Sequence, residues 1–257
     1  MSGDLEPDRL ESELSKVRAE PETADRLDRL VLLGQAAVES MNLRLRALGR
    51  EVLEEAAAAG SPQGMWLCAY AVLEGRGGSA DIDRGLALLA DAARAGVTDA
   101  AFELGQLLAR SGQKHQAMPW LGAAAEAGHP GALRMLGRMA AGSGDHELGL
   151  KLLSAAIESG SNQAIYDRLL LYAQRGPTEE LLQRLDPLLR KRAVPAGVLA
   201  EVGRATAVRD PDALISLAIA VTAQGKAARQ AFLDGLRRGN ASLYEELGAD
   251  LQQVLEL

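Results

Sequence analysis

Residues 117–128 read Ala117-Met118-Pro119-Trp120-Leu121-Gly122-Ala123-Ala124-Ala125-Glu126-Ala127-Gly128. The close of that stretch, Ala124-Ala125-x-x-Gly128, returns as Ala56-Ala57-x-x-Gly60, Ala92-Ala93-x-x-Gly96 and, with one change, Ala156-Ile157-x-x-Gly160. The terminal glycines stand 36, 32 and 32 residues apart. Four residues after each comes a small residue: Gly64, Ala100, Ala132 and Ala164. Eleven residues before each stands another: Gly49, Gly85, Ala117 and Gly149. A Leu-Gly pair recurs at Leu33-Gly34, Leu104-Gly105 and Leu136-Gly137, with Cys68-Ala69 as a looser match. A period of this length is the signature of stacked helical hairpins.

The physics of each unit follows from those positions. Two helices of about 13–16 residues, roughly 20–24 Å long, fit between successive terminal glycines. Ala and Gly fall where helix axes must approach closely. The terminal Gly ends the second helix, because glycine enters the left-handed C-cap conformation without steric cost. Pro62 and Pro130 follow the stop, where proline suits a helix start. Asp81 and Asp145 are placed to cap second helices and Asp99 to cap a first helix.

Composition agrees. The chain has 257 residues, of which 46 are Ala and 44 Leu, and only 8 are aromatic. Ala and Leu favour helices, whereas β-branched and aromatic residues favour sheets. The expected fold class is all-α, a solenoid of about seven helical hairpins. Residues 1–22 form an acidic arm or capping helix, with Leu5, Leu10, Leu14 and Val17 at near-helical spacing. Residues 23–257 form a single repeat domain, well matched over 23–176 and degenerate over 177–257. Unit six opens near Pro195-Ala196, with a second helix from Asp210. Unit seven opens near Lys226 and closes with Ser242–Leu257, where Ser242 and Glu245 match a capping box.

The stretch Gly75-Arg76-Gly77-Gly78-Ser79-Ala80-Asp81, followed by Gly85, resembles the Sel-one-like repeat family, a relative of the tetratricopeptide repeats. So does Ala117-x-x-Trp120-x-x-x-Ala124-Ala125-x-x-Gly128. The Gly-x-Gly turn occurs once, in unit two. The family's Trp also occurs once, with Val52, Leu88 and Leu152 in its place elsewhere. The resemblance implies a right-handed α-α superhelix, a solenoid used as a scaffold for protein contacts. In bacteria it further implies a link to envelope assembly, exopolysaccharide export or signalling.

A net charge of −7, with 8 Arg/Lys against 13 Asp/Glu in residues 1–60, argues against nucleic acid as a partner. Cys68 is the only cysteine, so an intrachain disulfide is excluded; it stands in a Leu packing position and reads as a buried thiol. No apolar run reaches the roughly 20 residues needed to span a bilayer. The expected location is cytoplasmic, or periplasmic if an export signal has been removed. His115, His129 and His146 fall near inter-helix turns and read as solvated. The Gly75–Gly78 stretch lacks a preceding strand and a following Lys-Ser/Thr, so it is a repeat turn and not a phosphate cradle. The run Arg190-Lys191-Arg192 suits a helix C-terminus, with an acidic partner as the sharper alternative. No residue set supports catalysis, a metal or a cofactor.

In stacked hairpins the first helices line a groove. Counting from Gly64, Ala100, Ala132 and Ala164, the residues two on are Trp66, Phe102, Arg134 and Tyr166. Six on come Tyr70, Gln106, Arg138 and Leu170, and ten on come Glu74, Arg110, Gly142 and Gln174. Aromatics and Arg are the usual interface anchors. The candidate partner-binding set is therefore Trp66, Tyr70, Phe102, Gln106, Arg110, Arg134, Arg138 and Tyr166. They would hold a protein or peptide segment whose acidic groups meet the arginines. The competing reading places the same aromatics in inter-repeat core, filling space left by Ala. The expected function is a non-enzymatic scaffold or adaptor. The alternatives are an envelope or exopolysaccharide assembly factor, and a regulatory or immunity-type protein that occludes one partner.

Overall fold

The computed structural model describes residues 7–21, 23–175, 181, 183–185, 187–188, 194–209, 217, 221, 226–242 and 244–245. Among the described residues there is helix and turn and no strand. The chain divides into two compact units, Met1–Ala132 and Leu133–Leu257. The first holds α1 (Pro7–Arg18), α2 (Ala24–Val38), α3 (Leu43–Ala58), α4 (Pro62–Glu74), α5 (Ile82–Arg94), α6 (Thr98–Arg110) and α7 (Lys114–Glu126). The boundary falls inside α8 (Pro130–Gly142). The second unit continues with α9 (His146–Glu158), α10 (Asn162–Arg175), helical residues at 181, 183–185 and 187–188, α11 (Ala196–Arg209) and α12 (Lys226–Gly239).

The recurring Ala-Ala-x-x-Gly is a helix stop. Gly60, Gly96, Gly128 and Gly160 have φ of 86°, 94°, 80° and 97°. The residue after each glycine donates its N–H back to the first alanine of the motif: Ser61 to Ala56, Val97 to Ala92, His129 to Ala124 and Ser161 to Ala156, all at 2.8–3.0 Å. That is the Schellman bond, which satisfies an orphan carbonyl at the helix end. The same bond closes first helices at Gln113 to Leu108 and Asp145 to Ala140, next to Gly112 and Gly144.

Within each hairpin the Leu-Gly pair has one job. A Cβ on Gly34, Gly105 or Gly137 would stand 2.7–3.0 Å from a leucine of the second helix, respectively Leu53, Leu121 and Leu153. In the second repeat Ala69 and Leu89 share a cluster in the same way. All four leucines lie seven residues before a terminal glycine and are fully buried. Each contributes roughly 1.5–3 kcal/mol by leaving water. Cys68 is buried, its thiol pushed up to about 11 by desolvation.

α1 packs on the first hairpin. Leu10, Leu14 and Val17 join Leu30, Val31, Leu45 and Val52 in one cluster. Arg18 pairs with Glu55 at 2.7 Å and Arg44 with Glu11 at 2.5 Å. In the second unit, Leu169, Tyr172, Leu181, Leu185, Leu199, Val202, Leu217, Val221 and Phe232 form one core. There α12 meets α11 closely enough that a Cβ on Gly235 would stand 1.8 Å from the Ala200 carbonyl oxygen.

The caps behave as expected with two exceptions. Ser61 accepts from Gly64 N–H at 3.1 Å ahead of Pro62, and Asp81 and Asp145 each accept from the third residue on at 3.0 Å. Asp99 does not cap α6. Val97 occupies that position without a side-chain bond, and the Asp99 carboxylate meets His129 Nε2 at 3.2 Å instead. Ser242 does not open the helical residues there: residue 241 is already helical, and the Asn240 carbonyl accepts from Tyr244 N–H. The second helix expected from Asp210, the run Arg190-Lys191-Arg192, Leu5 and most of 243–257 lie outside the described residues. The glycine-rich turn packs on α3: a Cβ at Gly77 would meet the Arg46 carbonyl oxygen at 2.2 Å, and Arg50 donates to Ser79 O at 2.8 Å.

Candidate partner-binding clefts

Helical phase fixes where first-helix side chains go. Two residues after Gly64, Ala100 and Ala132 the side chain reaches the next repeat. Trp66 is half-buried, and its indole Nε1–H donates to Glu103 Oε2 at 3.0 Å. Arg134 donates through Nε to Asp167 and through Nη1 to Gln163 Oε1 at 2.6 Å. Glu103 and Asp167 occupy one phase, three after Ala100 and Ala164. The structure thus repeats one device in both units: a donor at the second position ties to an acid at the third position of the following repeat. Burial pushes the Glu103 carboxyl above the ordinary glutamate range, while the Trp66 N–H pulls it back down.

Phe102 at the same phase stacks on His129, with ring centroids 4.3 Å apart and planes at 26°. His129 is not a solvated turn residue. Its Nδ1 accepts from Ala132 N–H at 3.2 Å, serving α8 as a cap, and its Nε2 faces Asp99. Tyr166 is half-buried and packs beside the second unit's core. Among the described residues, no group of three or more His, Cys, Asp and Glu could hold a metal. Among the described residues, no helix is long and apolar enough to cross a membrane.

The positions six and ten residues on have a different fate. They line clefts between successive first helices. Tyr70 and Glu74 of α4 face Phe102, Glu103, Gln106 and Arg110 of α6 across an open cleft of about 370 Å³, floored by Leu73 and Leu107. Tyr70 is 43% exposed. A smaller cleft of about 50 Å³ lies on the other side of Tyr70, where Gln35 and Glu39 of α2 meet Leu67 and Ala71 of α4. In the second unit Arg138, Ala141 and Gly142 of α8 face Asp167, Leu170, Leu171 and Gln174 of α10 across about 260 Å³. The phases are the same in each: six, nine and ten from one helix, three, six and seven from the next.

The candidate residues therefore divide. Tyr70, Gln106, Arg110 and Arg138 stand at clefts, and Phe102 shares one while stacked on His129. Trp66, Arg134 and Tyr166 are engaged inside their own units. The acidic group facing Arg134 is Asp167 of the chain itself. Arg138 remains 61% exposed, 3.8 Å from the same carboxylate. Gln35 and Glu39 extend the cleft series to the first repeat. Their signal was available at six and ten residues from Arg29, five before Gly34, but no small residue marks that opening.

No family model matches the sequence, and no curated protein matches it at a significant level. Solved structures do. A Sel1 repeat protein from Oxalobacter formigenes aligns over 93% of this chain and 95% of its own, with a TM-score of 0.60 and 18% identity. The protein c5321, a protective antigen present in uropathogenic Escherichia coli strains and displaying an SLR fold, aligns over 97% of this chain with a TM-score of 0.57 and 14% identity. This chain spans 63% of that one. An immunity protein, Pa5087 from Pseudomonas aeruginosa, aligns over 92% of this chain at 20% identity with a TM-score of 0.48. At 0.60 and 0.57 over almost the whole chain, the first two likenesses carry the architecture: this protein has the all-α helical-repeat fold of the Sel1 repeat proteins.

Proposed function

We propose that the chain is a non-enzymatic scaffold or adaptor that binds a protein or peptide segment in the clefts between its first helices. The observation that carries this is recurrence: the same repeat phases build a cleft in each unit. A repeat fold offers such sites in series along one chain. The cleft chemistry suits a polypeptide. Leu73, Leu107 and Phe102 supply apolar contact, Tyr70 and Gln106 supply groups that can hydrogen-bond main-chain amides, and Arg110 supplies a cation for an acidic side chain. Arg138 does the same in the second unit.

The test is affinity capture with the full chain from its own cells, run beside a Tyr70→Ala/Arg110→Glu variant and an Arg138→Glu variant. These side chains are exposed, so the variants keep the wild-type far-ultraviolet spectrum. A protein captured by wild type and lost from the variants supports the reading. A protein captured equally by all three overturns it.

A further inference from the structure

Arg168 breaks a column of apolar residues. The position before the small residue of the Leu-Gly pair is Leu33, Cys68, Leu104 and Leu136 in the first four repeats, and Arg168 in the fifth. Cys68 and Leu104 are buried, and Leu33 and Leu136 half-buried. Arg168, on α10, is half-buried too. Its Nη1 donates to Ser154 Oγ of α9 at 3.2 Å. Among the described residues no carboxylate comes within the 4.0 Å of an ion pair. One turn along α10 lies Tyr172, buried, and over its ring at 5.2 Å stands the guanidinium of Arg184, exposed and, among the described residues, without a carboxylate in ion-pair range.

Two cations thus flank Tyr172, Arg184 over its ring and Arg168 one helical turn before it. Guanidinium stays charged at any physiological pH, and a charge withdrawn from water without a counter-charge is costly. Burial, and then the charge of Arg184, hold Arg168 below the ordinary guanidinium value, against the opposing pull of Tyr172 and of Glu158, exposed at the end of α9. Ser154 accepts from Arg168, which leaves its own O–H to donate. Two positive charges and a hydroxyl donor match a doubly charged oxyanion better than a single carboxylate, because a phosphate monoester carries about −1.5 to −2 at neutral pH.

We propose that Arg168 of α10, Ser154 of α9 and Arg184 of the helical residues 183–185 form a binding site for a phosphate-type dianion, separate from the inter-repeat clefts. The phosphate belongs either to a small ion or to a phosphorylated side chain.

The test is thermal unfolding of the full chain in millimolar inorganic phosphate against chloride at matched ionic strength. Wild type gains stability that rises with concentration, roughly 3 °C or more for each tenfold increase above the dissociation constant. Arg168→Leu restores the residue type of the other repeats. It should melt no lower than wild type in chloride and lose the phosphate response, and Arg184→Gln should lose most of it. A wild-type response no larger than that of Arg168→Leu overturns the site, because general salt effects act on both alike. So does an undiminished response in Arg184→Gln. A second arm compares a phosphoserine peptide with its unphosphorylated form by fluorescence anisotropy. Tighter binding of the phosphopeptide than of inorganic phosphate assigns the group to a protein partner, and equal binding assigns it to the free ion.

Discussion

Two glycine-to-alanine substitutions in the first unit should move stability in opposite directions. Gly49 is buried in α3, and a Cβ there would stand 2.6 Å from the Val38 backbone nitrogen, 2.7 Å from the Ala37 Cβ and 2.8 Å from the Gly34 carbonyl oxygen. Two of those three atoms are backbone of α2, so relief requires the helices to part. Gly122 is inside α7, and nothing lies within 4 Å of its Cβ position. Alanine gains about 1 kcal/mol over glycine in a helix interior at either site. Overpacking costs about 1–3 kcal/mol, and at Gly49 the upper part of that range applies because backbone cannot rotate away. Gly49→Ala should therefore be destabilised by about 1–2 kcal/mol and Gly122→Ala stabilised by about 1 kcal/mol. Helix propensity cancels in the difference between the two, which reads the contact directly. The assay is denaturant and thermal unfolding followed by circular dichroism at 222 nm, where each kcal/mol moves the midpoint by roughly 2–4 °C. Both residues belong to one compact unit, so both report on the same transition. Shifts of the same sign and size would refute the close α2–α3 packing.

Other consequences concern the inter-repeat ties and the buried thiol. Glu103 holds its proton more tightly folded than unfolded, so its carboxylate costs stability that is absent below the ordinary value of 4.5 and appears as pH rises through the raised one. Glu103→Gln should then match wild type at low pH and melt higher at neutral pH, while keeping the Trp66 bond; a pH series of melts checks this. Arg134→Ala should lose about 1.5–3 kcal/mol, since it strips a half-buried carboxylate of its main donor, whereas exposed Arg138→Ala should stay within about 0.5 kcal/mol in the same unfolding assay. Cys68, buried and with its thiol near 11, should ignore a disulfide exchange reagent in the native state and react at once in denaturant.

What the sequence made legible was local. A glycine that must adopt positive φ leaves a mark that needs no knowledge of its neighbours, so Gly60, Gly96, Gly128 and Gly160 set the repeat frame. Direction around a helix is equally local, and the residues six and ten after each small residue do line clefts. The second position was harder. Whether Trp66 points into a groove or ties two repeats depends on Glu103, a full repeat away, and the same holds for Arg134 and Asp167. Asp99 reads as a cap, but α6 already begins at Thr98, which puts its carboxylate in the first turn, facing His129. Arg168 leaves a different kind of signal, a single charge in a column otherwise filled by Leu33, Cys68, Leu104 and Leu136.

The tie between Trp66 and Glu103 and that between Arg134 and Asp167 also alter how the clefts should be probed. Substituting Arg134 disturbs the stack itself, so loss of binding there would be ambiguous. Tyr70, Arg110 and Arg138 are the positions where a change reaches a partner first.

Site-specific photocrosslinking in living cells tests directly whether a partner docks in the clefts. A photoreactive amino acid replaces Tyr70, Gln106 or Arg138 at the clefts, and Asp91, Glu126 or Lys151 on the exposed faces of second helices. If a partner docks in the clefts, the cleft positions crosslink to a common protein and the second-helix positions do not. Crosslinks confined to Asp91, Glu126 and Lys151, or spread evenly over all six, would contradict it.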